Sequence, residues 1–409
     1  MSPKKRYKQQ SEQFSKPEPG NFISEWFGHR VYPVVSTNPK MLLDQNQARC
    51  PFLSDATGEN RQCVKTPASK GVCTVNSIGN ALRQDWLVCP YRALEPSLLQ
   101  NCIHRLFRIN ADASVLILPA PTLQKEAVRQ QLLLALSIGN RVFIFFQDKL
   151  GGEISIAPTK RSPELSFDIT IVEITNTGKL DVGQYGILEV QTMDYHGTYK
   201  YAVKNLEDAL RLHRSEFPTA LSNHAEWLSD HVEGPNLSNV FKRTFYQMMF
   251  KFQLGIDSNC AGCVLAIPTS VWGSWQKHLG QPDLQPKDDG SYVLVKPQAP
   301  ELISPLNESE NSTMKERNEI YSSVNTPSRE KLSSITDRAI AWIYVFDIVP
   351  SSETTPNPIR IDRIISTDAA SFSYFALQVA PEAAINTSIA SLPITLRRRL
   401  ATLWDVFAT

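Results

Sequence analysis

The stretches ELSFDITIVEI, residues 164 to 174, and YGILEVQTMDYHG, residues 185 to 197, carry the side chains best suited to chemistry. In the first, Leu165, Phe167, Ile169 and Ile171 alternate with Ser166, Asp168 and Thr170, the period of a half-buried strand. In the second, Glu189 and Gln191 stand two apart and share a face. The turn TNTGK joins the two strands. A hairpin centred near Gly178 and Lys179 sets Asp168 opposite Glu189, with Cβ atoms about 5 Å apart. Two carboxylates that close repel unless a cation lies between them. A hard ion such as Mg²⁺ satisfies them, activates water and screens charge growing on a phosphate. Glu153, in GGEISI, adds a third acid. Gln191 stands where a lysine would add charge; its amide can orient water but cannot offset negative charge. The same pattern also describes an ordinary solvated sheet face.

Cys50, Cys63, Cys73 and Cys89 are separated by 12, 9 and 15 residues. This is not the spacing of a common zinc module, yet four thiolates can hold zinc or iron and stabilise a loop-rich segment. Buried free cysteines are the alternative. Cys260 and Cys263, in CAGC, begin a strand and read as core thiols, as does Cys102 in an apolar helix. The block EGPNLSNVFKRTFYQMMFKF opens a helix, and Asn236, Lys242 and Arg243 there are suited to phosphate or base-edge contacts. They read equally as exposed charges on a core helix.

These residues need a scaffold. Residues 1–20 form a basic tail, and 21–95, rich in Cys, Pro, Gly and Asn, read as a small loop-rich module with little core. From about residue 96 the pattern is α/β: helices at 94–107 and 123–139, strands SVLILPA, RVFIFFQ, CVLAIP and AIAWIYVFDIV, and further helices near 199–213, 222–231 and 238–254. Residues 297–337, rich in Ser, Asn, Glu and Pro, read as a disordered insertion. Lys plus Arg (42) nearly balance Asp plus Glu (41), so any phosphate contact must be local, as at Lys4–Lys8 or Arg397–Arg399. With no long apolar run and no signal peptide, a cytoplasmic protein with reduced cysteines and no membrane contact is expected.

NFISEWFGHRVYP, the four cysteine segments, KLGGEISI, SFDIT, YGILEVQTMDYHG, EGPNLSNVFKRTFYQM and AIPTSVWGSW together resemble, in order, the NotI-type family of rare-cutting type II restriction endonucleases. Most of residues 21 to 280 is covered. The resemblance implies a PD-(D/E)xK restriction-endonuclease-like core, a mixed central sheet flanked by helices over residues 96–409, with an N-terminal four-cysteine metal module. It implies a homodimer cutting a GC-rich palindrome in double-stranded DNA, and a companion DNA methyltransferase. Its active site maps to Glu153, Asp168, Glu189 and Gln191, with Mg²⁺ on Asp168 and Glu189. Its structural iron maps to Cys50, Cys63, Cys73 and Cys89. The tail, the 297–337 insertion and the C-terminal region depart from the family. The rival readings are a non-catalytic DNA-binding protein and a monomeric nicking or repair nuclease.

Overall fold

The fold is that of a computed structural model describing residues 20–79, 82–158, 160, 164–296, 341–350 and 357–376. Residues 1–19 of the basic tail, the 297–337 insertion and Arg397–Arg399 lie outside the described residues. The N-terminal part comprises β1 (Phe22–Trp26), β2 (His29–Arg30), α1 (Lys40–Asn46), α2 (Pro51–Thr57), β3 (Val72–Gly79) and β4 (Leu82–Leu87). Next come α3 (Pro96–Leu106), β5 (Val115–Pro119), α4 (Glu126–Ser137), β6 (Arg141–Gln147), β7 (Ile154–Ile156), β8 (Leu165–Phe167), β9 (Ile169–Asn176) and β10 (Leu180–Val190). Then follow β11 (Tyr195–Gly197), α5 (Lys200–His213), α6 (Phe217–Asn223), β12 (Val232–Pro235), α7 (Leu237–Lys251), β13 (Cys260–Pro268) and α8 (Thr269–Leu279). The last described elements are β14 (Gln285–Pro286), β15 (Tyr292–Leu294), β16 (Ala341–Ile348), β17 (Ile359–Thr367) and α9 (Ala369–Tyr374).

A nine-stranded mixed sheet, ordered β14-β15-β17-β16-β13-β10-β9-β6-β5, forms the centre. Strands β10, β13 and β16 run parallel, and β9 pairs antiparallel with β10. Alternation assigns the faces. Leu188, Val190, Val264, Ala266, Trp342 and Tyr344 pack with α3 residues such as Leu98 and Ile103. Ile187, Leu265, Ile343 and Val345 pack with α7 and α8, through Met248, Val271 and Trp275. Glu189, between Leu188 and Val190, therefore faces α7.

The expected loop-rich module is built instead on a four-stranded antiparallel sheet, ordered β2-β1-β3-β4. Its strand β3 is hard to read because consecutive residues Val72, Cys73, Thr74 and Val75 are all buried, so polarity does not alternate. Its core is not its own. Ile23, Trp26 and Val75 pack with Leu206, Phe217 and Leu221 of α5 and α6. The helix expected at 222–231 is α6 at Phe217–Asn223, started by Pro218 in its first turn, followed by a separate 3-10 turn at Ala225–Leu228.

The β9–β10 hairpin positions the site through one irregularity. Near the turn, Leu180 faces Asn176 and Val182 faces Ile174, a pairing centred on Gly178 alone. Past Gly183 and Gln184 the register shifts by one, so Tyr185 faces Val172 and Leu188 faces Ile169. Two residues of β10 there oppose one of β9, a β-bulge. The shifted register is the one that sets Asp168 level with Glu189. Without the bulge Asp168 would lie level with Leu188, whose side chain takes the other face.

Candidate active site

Asp168 sits at the bend between β8 and β9, where the chain leaves one small ladder for the large sheet. Its backbone N–H donates to Glu189 Oε1 at 3.3 Å, and the N–H of Val190 donates to Asp168 Oδ2 at 2.9 Å. Both carboxylates line one cavity of about 270 Å³, together with Gln191, Arg243, Thr244 and Gln247. Glu153 precedes β7, whose Ile154 pairs with Phe167, so the next step of that ladder runs Glu153 to Asp168. Glu153 is exposed at the edge, whereas Glu189 is 4% exposed.

The electrostatics follow from this crowding. Burial, then the Asp168 charge, pushes the Glu189 carboxyl up to about 8, against the pull of Lys251. Burial also raises Asp168, opposed by the Val190 N–H, Lys251 and Arg243. Glu153 is raised by partial burial and by Asp168 and Asp148, while the Ser166 hydroxyl acts the other way. Acids raised by burial, with Glu189 and Glu153 raised further by the Asp168 charge, are a site that a divalent ion would relieve.

Lys251 is the functional candidate that sequence reasoning missed. Its Nζ lies 2.5 Å from Glu189 Oε2 and 5.7 Å from the centre of the Phe167 ring. It is 3% exposed. A signal was available: Val240, Thr244, Met248 and Lys251 recur at helical spacing and all four are buried, so the lysine falls on the inner stripe of α7. Gln191 is committed to structure. Its Oε1 accepts from the Thr244 hydroxyl, its Nε2 donates to Thr192 O, and its backbone N–H donates to Ala266 O at 2.9 Å. It thus ties the end of β10 to α7.

Of the expected DNA contacts, Arg243 lines the cavity and pairs with Asp194 at 3.1 Å on the surface. Asn236 opens the turn into α7, its N–H donating to Asp194 O at 2.8 Å. The side chain of Lys242 lies outside the described residues.

The four N-terminal cysteines interact as one group. Cys73 hydrogen-bonds to Cys89, and Cys50 feels the charges of Cys89 and Cys63. Cys50-Pro51 and Cys89-Pro90 each occupy the cap of a short helix. The N–H groups of Tyr91 and Arg92 point at Cys89, and those of Phe52 and Leu53 at Cys50. The Gly71 N–H donates to Cys63 Sγ at 3.4 Å. Cys89 is pushed down to about 6 by Cys73, with Lys65 and those N–H groups assisting, and burial lifts Cys50 to about 12. The lowered Cys89 thiol and the converging N–H donors suit a thiolate-bound metal, whereas Cys50 and Cys73 are raised toward the thiol form. As they stand, no three or more His, Cys, Asp or Glu side chains among the described residues are placed to hold an ion. Cys102 and Cys263 are fully buried and Cys260 nearly so, as core thiols should be.

A larger cavity, about 940 Å³, lies on the opposite face of the sheet, against α3, and no carboxylate among the described residues lines it. Among the described residues no helix is long and apolar enough to cross a membrane. No family model matches the chain, and no curated protein matches it significantly.

Proposed function

We propose that this protein is a type II restriction endonuclease with a PD-(D/E)xK core, hydrolysing phosphodiester bonds of double-stranded DNA with Mg²⁺. The observation that carries the reading is the convergence of Asp168 and Glu189, from separate strands, on one polar cavity flanked by Glu153. Their hard oxygens suit Mg²⁺. Bound there, the ion would offset the burial that raises both carboxyls and the Asp168 charge that raises Glu189 further, lower the pKa of an attacking water and screen the phosphate. The chain does the positioning. Lys251 keeps Glu189 anchored and favours its ionised form. Gln191 and Thr244 fix α7 against β10. Arg243 stands at the cavity where a scissile phosphate would approach, and Asn236 and Lys242, on the same stretch of chain, would add DNA contacts.

Two copies about a twofold axis would set two such sites on opposite strands of a palindrome, giving a double-strand cut in one encounter. A GC-rich site, a bacterial cytoplasmic setting and a companion methyltransferase follow from the sequence resemblance. Cys50, Cys63, Cys73 and Cys89 would take iron, or zinc, as a structural centre under the N-terminal sheet.

One observation favours a second reading. Lys251 already occupies the Glu189 carboxyl, which is what an inert acidic strand in a non-catalytic DNA-binding protein would require. Incubating purified protein with plasmid and Mg²⁺ separates the readings. Discrete linear fragments support the endonuclease, retarded but intact plasmid supports the binder, and nicked circles from a protein that sediments as a monomer support a nicking enzyme.

A further inference from the structure

The 940 Å³ cavity beneath α3 is within the range of small-molecule sites. Its basic lining comes from two directions. His104, Arg105 and Arg108 line it from the C-terminal end of α3, and Lys287 from the β14–β15 hairpin. Trp342 and Tyr344 of β16 form its sheet side, and the amides of Gln100 and Asn101 lie along its helix side. Helix polarity accounts for basic residues at the end of α3. It does not account for Lys287, which another element brings to the same space.

The charges are incompletely met. Arg105 pairs with Asp289 at 3.0 Å. Arg108 and Lys287 are exposed and have no ion-pair partner among the described residues, and His104 Nε2 is buried without a hydrogen-bond partner. Arg108 also holds a left-handed backbone, φ 52°, where the N–H of Ile109 closes the helix onto His104 O at 2.8 Å. Glycine is the unstrained residue at such a cap. An arginine there sets a cation at the cavity wall at some conformational cost.

We infer that this cavity binds a polyphosphate group, as the terminal phosphates of a nucleotide or as a free polyphosphate, between Arg108 and Lys287. Charge-assisted hydrogen bonds from guanidinium and ammonium groups suit clustered phosphate oxygens. Trp342 and the α3 amides line the same cavity. The site is separate from Asp168 and Glu189, which face the other side of the sheet, so it does not depend on the endonuclease reading.

The test is calorimetry of the full chain, without divalent ions, against tripolyphosphate, ATP and adenosine. One anion bound per chain is expected, weakened at least ~10-fold by Arg108→Glu or Lys287→Glu, with adenosine not binding. ATP binding more tightly than tripolyphosphate identifies a nucleotide; equal affinities identify free polyphosphate. Arg108→Gly, which suits the backbone and removes the cation, should weaken binding equally, and melting curves establish that each variant folds. Failure of both anions to bind at millimolar concentration, or affinities unchanged by all three substitutions, would overturn the proposal. So would a duplex oligonucleotide alone responding to the same substitutions.

Discussion

The ammonium of Lys251, the last residue of α7, lies 2.5 Å from the carboxylate of Glu189 near the end of β10, and both side chains are almost wholly buried. Few arrangements are so sensitive to removal of one partner, because the other charge is left without solvent. Gln191, two residues on, supplies no charge, and its amide is held by Thr244 and Thr192. The positive charge of this site therefore comes from the helix.

Replacing Lys251 by Met should reduce plasmid cutting by about 100-fold, the scale of a misplaced catalytic group. Without the ammonium that favours its ionised form, Glu189 would be held protonated still more strongly by burial and by Asp168. Adding Gln191→Lys to Lys251→Met, which returns a cation to the strand, should recover part of the rate. Single-turnover cleavage by folded variants checks both, and undiminished cutting by Lys251→Met would contradict the assigned role.

Gln191→Ala and Thr244→Val should each slow cutting about tenfold, and the double variant should be little worse than either, because both break one contact. Fully additive effects would mean that Gln191 acts on the substrate independently of Thr244.

The stability of the metal-free protein should fall as pH rises from about 4.5 to about 8. Glu189 titrates near 8 when folded and near 4.5 when unfolded, so between those values the native state binds the extra proton. Stability decreases with pH wherever the native state holds more protons. Denaturant melts in chelator at pH 5 and pH 9 should show the loss, and Glu189→Gln/Lys251→Met should flatten that part of the slope.

Protein prepared without chelators should carry about one iron or zinc per chain by elemental analysis. Cys73→Ser or Cys89→Ser should lower that content and the melting temperature together. Metal-free parent protein with an undiminished melting temperature would count against the centre.

Much of the scaffold was legible because its strands and helices carry unmixed periods. RVFIFFQ, CVLAIP and AWIYVFDI fall within β6, β13 and β16, and the acidic hairpin brings Asp168 and Glu189 to one cavity. The register at the site was anticipated, but its cause was not. It results from a bulge at Gly183–Gln184, which corrects a turn centred one half-step earlier. Strand β3 hid because both its faces are buried. Lys251 hid because a lysine on a helix reads as a surface charge until its neighbours at helical spacing are known to be interior.

Cleavage of a sequenced genome by the parent protein and by Asp168→Asn, each with Mg²⁺ and with Ca²⁺, tests the central claim most directly. The parent in Mg²⁺ should yield fragments whose ends share one palindrome, and Asp168→Asn should bind the same DNA and leave it intact. Uncut DNA with the folded, metal-replete parent, or equal cutting by Asp168→Asn, would contradict the account.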